Sequence, residues 1–282
     1  MWLSRVIASG MLRLLTKPLH SYTVLYPNDL DRLRRHVRPG DVVLVEGNNR
    51  ASAAIKVLTA SMWSHAALYI GDHLCRTGHP AGRAWGCEHG GEGCCLLIEA
   101  LPDRGVVASP ISKYIDFNLR VCRPFGITTG DVRLVIEEAV GHLGARYDLR
   151  NILDLARYFL PFQLVPARYR RAALHFGSGL PTEVICSSLV AEAFGKVRFP
   201  ITPEVAYPAP VLDHFRLGRA LLGTESTEYT GLFRMRHPTL VTPRDFDLSP
   251  YFTIVKFNVI EEGTFDYRKI HWREEGEGGE NP

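Results

Sequence analysis

Four short apolar runs follow one another in the first half of the chain: Asp41 to Gly47 (DVVLVEG), His65 to Ile70 (HAALYI), Leu96 to Ala100 (LLIEA) and Leu119 to Arg123 (LRVCR). Each is too short for a buried helix and has the length of a strand. No regular helix separates each run from the next, as a parallel sheet with crossovers would require. The expected class is therefore α+β, an antiparallel sheet packed against helices. Helix patterns surround these runs. Asn28-Asp29 is placed to cap Leu30 to Val37, which stops at Pro39-Gly40. Asn48 to Ser61 has helix-compatible spacing. Asp131 to Leu143 carries apolar residues three and four apart and ends at Gly144. Further helices are expected at Arg150 to Phe159 and Cys186 to Phe194, and a last strand at Thr253 to Val259.

Length and charge narrow the function. A chain of 282 residues is one large domain or two small ones. With 33 Lys+Arg against 30 Asp+Glu, the net charge of +3 is too small for nucleic-acid binding through bulk charge. No apolar run reaches the length of a membrane span. Six cysteines in a chain this long are not a disulfide scaffold.

Two segments suggest a surface role. Residues 1–17 mix Trp2, Leu3, Ile7, Met11, Leu12 and Leu14 with Arg5, Arg13 and Lys17. The cations interrupt the apolar stretch, unlike a cleaved signal. The segment is expected to be an amphipathic helix that lies on a membrane surface or packs on the protein itself. Residues 159–171 mix aromatic and aliphatic side chains with Arg168, Arg170 and Arg171 and could also meet a membrane. The expected organisation is the N-terminal helix over 1–20, a catalytic domain over 21–200, an extension over 201–262 packed on the same domain, and a largely disordered tail over 263–282. The expected location is cytoplasmic, peripheral to a membrane if those segments bind one.

Three segments each set one reactive side chain at the edge of a regular element. His65 opens a strand and is followed by two small alanines, which leave room beside its ring. Glu99 is a lone carboxylate in an apolar strand, on the same face as Leu97, where it is costly unless exposed or paired. Cys186 stands where an apolar approach is expected to turn into a helix, a place that favours a thiolate. Together they suit nucleophilic catalysis. Cys186 would attack an acyl carbon, His65 would move the proton, and Glu99 would orient the imidazole. The backbone N–H of Cys186, at the expected helix start, would help hold the oxyanion. Tyr147 and Ser64 are candidate oxyanion or substrate contacts. Taken singly, the histidine could be structural, the cysteine an inert core residue and the glutamate solvated.

The contexts of these residues carry a resemblance. Arg38-Pro39-Gly40-Asp41-Val42-Val43-Leu44, Ser64-His65-Ala66-Ala67-Leu68-Tyr69-Ile70-Gly71, Gly144-Ala145-Arg146-Tyr147-Asp148 and Cys186-Ser187-Ser188-Leu189-Val190 together resemble the circularly permuted, NlpC-type branch of the papain-like superfamily, the YaeF/YiiX-like amidases. The order His, Glu, Cys is the permuted one. The resemblance implies a permuted papain-like fold with Cys186 as nucleophile, His65 as base and Glu99 as third member. Ser188 departs from the pattern, which has Glu there. The implied function is a cysteine-dependent amidase or peptidase on a small amide or acyl substrate, working through a thioester without cofactor or metal. A lipid acyl hydrolase or acyltransferase, and a non-catalytic membrane-surface module, are the alternatives. The loop Cys75 to Cys95, with Cys75, His79, Cys87, His89, Cys94 and Cys95, lacks the paired spacings of a common zinc knuckle. It is expected to be a plain or substrate-capping connection.

Overall fold

The structure is a computed structural model and describes residues 17–18, 22–25, 28–85, 95–145, 181–205 and 233–256. The strands are β1 (Val42–Val45), β2 (His65–Gly71), β3 (Leu96–Leu101), β4 (Gly105–Pro110), β5 (Leu119–Pro124) and β6 (Phe252–Val255). They form one sheet in the order β4-β3-β2-β1-β5-β6, antiparallel at every pairing. A separate two-residue ladder joins Glu204–Val205 to Phe233–Arg234. The helices are α1 (Leu30–His36), α2 (Arg50–Thr59), α3 (His73–Arg76), α4 (Pro80–Arg83), α5 (Thr129–Gly141), α6 (Pro181–Lys196) and α7 (Pro243–Leu248).

Alternation along the strands divides the core between the two faces of the sheet. Val42, Leu44, Ala66, Leu68 and Ile98 pack against Val135, Ile136 and Ala139 of α5 and Leu189, Val190 and Phe194 of α6. Val43, Val45, Ala67, Tyr69 and Leu97 pack against Leu33 of α1 and against Ile111 and Tyr114, in the 3-10 turn after β4. β1 is buried on both faces, hence its uninterrupted apolar sequence. β6 extends the sheet beyond β5, and Phe252 meets Phe194, Phe199 and Phe246 edge-on at 5.4–5.5 Å between centroids. Trp63 Nε1–H donates to Asp247 Oδ2 at 3.0 Å, tying α7 to the segment before β2.

Side-chain caps explain the helix starts. Asp29 accepts from the Arg32 N–H, Asn49 from Ser52 and Thr128 from Asp131. The last of these sets the start of α5 at Thr129, two residues before the expected Asp131. β4 is a strand that periodicity does not reveal. Gly105-Val-Val-Ala-Ser-Pro110 contains small residues and ends in proline, a weak strand signal. It is held by the full ladder to β3. Its outer edge is partly covered by exchange with the chain after α5, Val106 N–H to Ala145 O at 3.0 Å and Gly144 N–H to Val106 O at 2.9 Å.

The Arg38-Pro39-Gly40-Asp41 turn has a concrete task. Gly40 has φ +94°, and a Cβ there would lie 2.9 Å from Val132 Cγ1 of α5. Asp41, 1% exposed, accepts from the Arg38 N–H at 2.8 Å and from Arg123 Nε–H and Nη2–H at 2.8 and 2.7 Å. Burial still leaves its pKa raised, against the pull of Arg123. Replacing Arg123 with methionine strands this carboxylate, and is expected to cost about 3–5 kcal/mol in urea unfolding, the range for breaking one side of a buried ion pair.

The N-terminal segment 1–16, the expected helix at 150–159, the basic stretch 159–171 and the tail lie outside the described residues. None of the described helices is long and apolar enough to cross a membrane.

Candidate active site

His65 is the first residue of β2, so its side chain sits at the rim of the sheet. Ser64 sets it there. Its backbone N–H donates to Val45 O at 3.1 Å, and its Oγ accepts from the Gly47 N–H at 2.9 Å. This buried hydroxyl fastens the loop after β1 to the start of β2. Glu99 lies on β3, and its side chain shares a sheet face with that of His65, since Ala67 and Leu97 lie together in the core on that side. His65 Nε2 is 2.8 Å from Glu99 Oε2. The glutamate is wholly buried.

Cys186 arrives from the opposite face on α6, which packs on the side of the sheet that carries Ala66 and Leu68. Its sulfur is hydrogen-bonded to the His65 ring and receives the backbone N–H groups of Ala66 and Ser187. With Nε2 committed to Glu99, Nδ1 is the ring nitrogen left for the sulfur. The structure thus brings Cys186, His65 and Glu99 into one hydrogen-bonded chain around the end of β2. Tyr147, the other expected contact, lies outside the described residues.

One expectation is corrected. The helix begins at Pro181, not at Cys186, so the cysteine is its sixth residue. Only the first four N–H groups of a helix lack an intrahelical partner, and the Cys186 N–H is beyond them. That N–H is not the oxyanion donor that a helix start at Cys186 would make it. The start signals are Pro181 at the first helical position and Glu183 in the first turn. The neighbours that favour the thiolate here are His65 and the N–H groups of Ala66 and Ser187.

The electrostatics follow from these contacts. Burial works to raise the Cys186 thiol, yet the adjacent His65 and the two N–H donors outweigh it and hold the pKa below the ordinary 9.0. Burial works to lower the His65 imidazole, yet the sulfur and Glu99 raise it from 6.5 to about 9. Burial works to raise Glu99, but His65 and Lys113 hold it far below the usual carboxylate range. These contacts favour a thiolate beside an imidazolium, backed by a carboxylate.

Two partners of Glu99 were not foreseen from sequence. Lys113 Nζ–H donates to Oε1 at 2.6 Å, and the Tyr114 hydroxyl donates to Oε2 in a very short bond. The Tyr114 phenol is pushed well above its ordinary value, by burial and then by Glu99, so it remains a donor. Its ring also lies 5.9 Å from that of His65. A usable signal was present. A carboxylate inside an apolar strand calls for a cation, and Lys113 is the first lysine after Glu99.

Ser188, at the departure from the family pattern, has a buried hydroxyl with no hydrogen-bond partner among the described residues. Ser187 Oγ–H donates to Val241 O at 2.5 Å and joins α6 to the segment before α7. A cavity of about 710 Å³, lined in part by Arg38, Asp41, Arg76, Arg123 and Arg133, lies at the other end of β1 and includes none of the three reactive side chains.

A family model described as permuted papain-like amidase enzyme, YaeF/YiiX, C92 family matches residues 36–179, just over half of the chain. The chain belongs to this family. It is an α+β protein with a permuted papain-like fold, and an enzyme of the cysteine amidase type acting on amides. The match takes in His65 and Glu99 and ends before Cys186, which the fold itself brings to the histidine. No curated protein matches. Among solved structures, the chain is similar to a crystal structure of the metalloprotein YiiX from Escherichia coli O157:H7, with 15% identity, a TM-score of 0.43, and coverage of 78% of this chain and 97% of that one.

The stretch expected to be a plain or substrate-capping connection carries the end of α3 and all of α4, and Cys75 in it is disulfide-bonded. Cys95, Cys122 and Cys186 are not disulfide-bonded. Among the described residues, no three His, Cys, Asp or Glu side chains gather as a metal site would require.

Proposed function

We propose that this amidase cleaves its substrate through a thioester on Cys186, with His65 as acid and base and Glu99 as the group that orients it. The observation that supports this most is the hydrogen-bonded series Cys186, His65, Glu99, in which the sulfur is lowered and the imidazole raised. The thiolate adds to the amide carbonyl carbon, and the carbon–nitrogen bond breaks as the His65 imidazolium gives its proton to the departing amine. His65, now neutral, takes a proton from water, which attacks the thioester and releases the acid and the thiolate. Glu99 accepts from Nε2–H throughout, so the ring keeps one tautomer and orientation.

The family match supports an amide as the substrate class, so a small amide substrate is the reading retained. The test is a panel of N-acyl p-nitroanilides with short, long and aminoacyl groups, followed by intact-mass analysis. Amine release with an acyl adduct on Cys186, both lost in Cys186→Ala, supports the proposal. Amine release that persists in Cys186→Ala overturns it.

Glu99→Gln bears on the third member. The amide can still accept from Nε2–H but carries no charge to stabilise the imidazolium. The substitution is expected to lower kcat/KM by roughly 10²–10⁴-fold. Losing a negative neighbour lowers the imidazolium pKa, so the alkaline limb of the pH–rate profile, set by His65 at about 9, moves down. A profile unmoved on that limb contradicts the role.

A further inference from the structure

The charges at the site alternate in space. Lys113 meets Glu99 at 2.6 Å, Glu99 meets His65 at 2.8 Å, and His65 meets the Cys186 sulfur. An imidazolium–thiolate pair is neutral as a unit, so a wholly buried carboxylate behind it would leave one uncompensated negative charge in the core. Lys113 supplies the balancing cation and holds Oε1, while Oε2 serves His65 and Tyr114. Lys113 itself is seated on the Tyr114 ring, 4.7 Å from its centroid. Backbone bonds fix the turn that carries both residues, Ile111 N–H to Cys95 O at 2.9 Å and Ile115 N–H to Ser112 O at 3.1 Å. Lys113 reaches the reactive pair through Glu99, whereas Tyr114 also sets its ring 5.9 Å from that of His65.

We propose that Lys113 is a positioning residue of this active site: it locks the Glu99 carboxylate in the plane that serves His65, and its charge sets the pH range over which Cys186 is nucleophilic. The proposal rests on the role given to Cys186 and His65 above. The other charged or titratable groups around the pair are few among the described residues. Tyr114 faces Glu99 from the same 3-10 turn. Glu46, at the end of β1, is neutralised by Lys56 of α2 at 2.6 Å. Tyr69 and Cys95 engage one another further along the same face. Of these, only Lys113 places a cation on the carboxylate that holds His65.

The sign follows from charge. Removing a cation disfavours the thiolate, so the Cys186 titration moves up. It also favours the imidazolium, so the alkaline limb moves up as well. Lys113→Met therefore displaces both limbs to higher pH, by about 0.5–1 unit for a charge two hydrogen bonds away and partly open to solvent. Lys113→Arg keeps the charge and restores the limits. Tyr114→Phe removes a hydrogen bond and no charge, so it lowers the plateau and leaves both limits in place.

The experiment follows thiolate ultraviolet absorbance of the full chain across pH, as the difference from a Cys186→Ser background, in wild type and these three variants. The expected result is an upward shift in Lys113→Met alone, with Lys113→Arg and Tyr114→Phe at the wild-type position. If the wild-type midpoint is depressed and Lys113→Met titrates with it, Lys113 has only a structural part and the proposal is overturned, while the roles of Cys186 and His65 stand. If the wild-type midpoint is that of an ordinary thiol, those roles fail first. Should Lys113→Met fold poorly, Lys113→Gln gives the same charge change, and an unshifted midpoint there overturns the proposal equally.

Discussion

Exchanging Cys186 for serine lowers amide turnover by roughly 10⁴-fold or more, with the fold retained. The two side chains differ by one atom, and the position, 2% exposed on α6, admits an oxygen without rearrangement. What changes is the anion. The surroundings draw a thiol below 9.0, against burial, through one imidazolium and two backbone N–H groups. A hydroxyl starts many units higher, and the same contacts do not bring it into the neutral range. Initial rates with the p-nitroanilide panel, with circular dichroism to show the fold, measure this. A serine variant within tenfold of wild type would remove the sulfur from the mechanism.

His65→Ala is expected to have an effect of similar size, for a reason that can be separated by pH. The substitution takes away the counter-ion of the thiolate and the acid that protonates the leaving amine. Burial of Cys186 is then opposed without the imidazolium, so the thiol pKa rises. The thiolate fraction at neutral pH falls with it. Loss of proton transfer adds a further factor of about 10²–10⁴. Raising the pH recovers the first part and not the second. The wild type does the reverse and loses activity as pH rises through the His65 value of about 9. A variant whose rate still peaks near neutrality would show that another group serves as base.

How much of this was legible in the sequence depends on the distance over which each feature is determined. β1, β2, β3 and β5 could be placed because four apolar runs, buried on one or both faces, leave a local pattern. The start of α1 was visible in Asp29, whose side chain caps its own helix, whereas α2 was placed from Asn48 on spacing alone and begins at Arg50 behind the Asn49 cap. Cys186, His65 and Glu99 stood out because each is chemically out of place in its local context. The partners of Glu99 were not legible to the same degree. Lys113 and Tyr114 reach it only because a 3-10 turn folds back over the face that β3 presents, and that return depends on the β3–β4 ladder. β4 itself has little local signal, since its stability lies in pairing. The start of α6 was missed because Val184-Ile185 looks like an apolar approach to a helix, whereas the helix begins at Pro181, five residues upstream of Cys186. The oxidation of Cys75 depends on a spatial encounter that cysteine spacing did not specify.

The most direct measurement is the thiolate titration of Cys186 in the full chain, taken from ultraviolet absorbance against the Cys186→Ser protein. The account predicts a midpoint clearly below 9.0, with the depression lost in His65→Ala. A midpoint at or above 9.0 in the wild type, or one that does not move when His65 is removed, would contradict it.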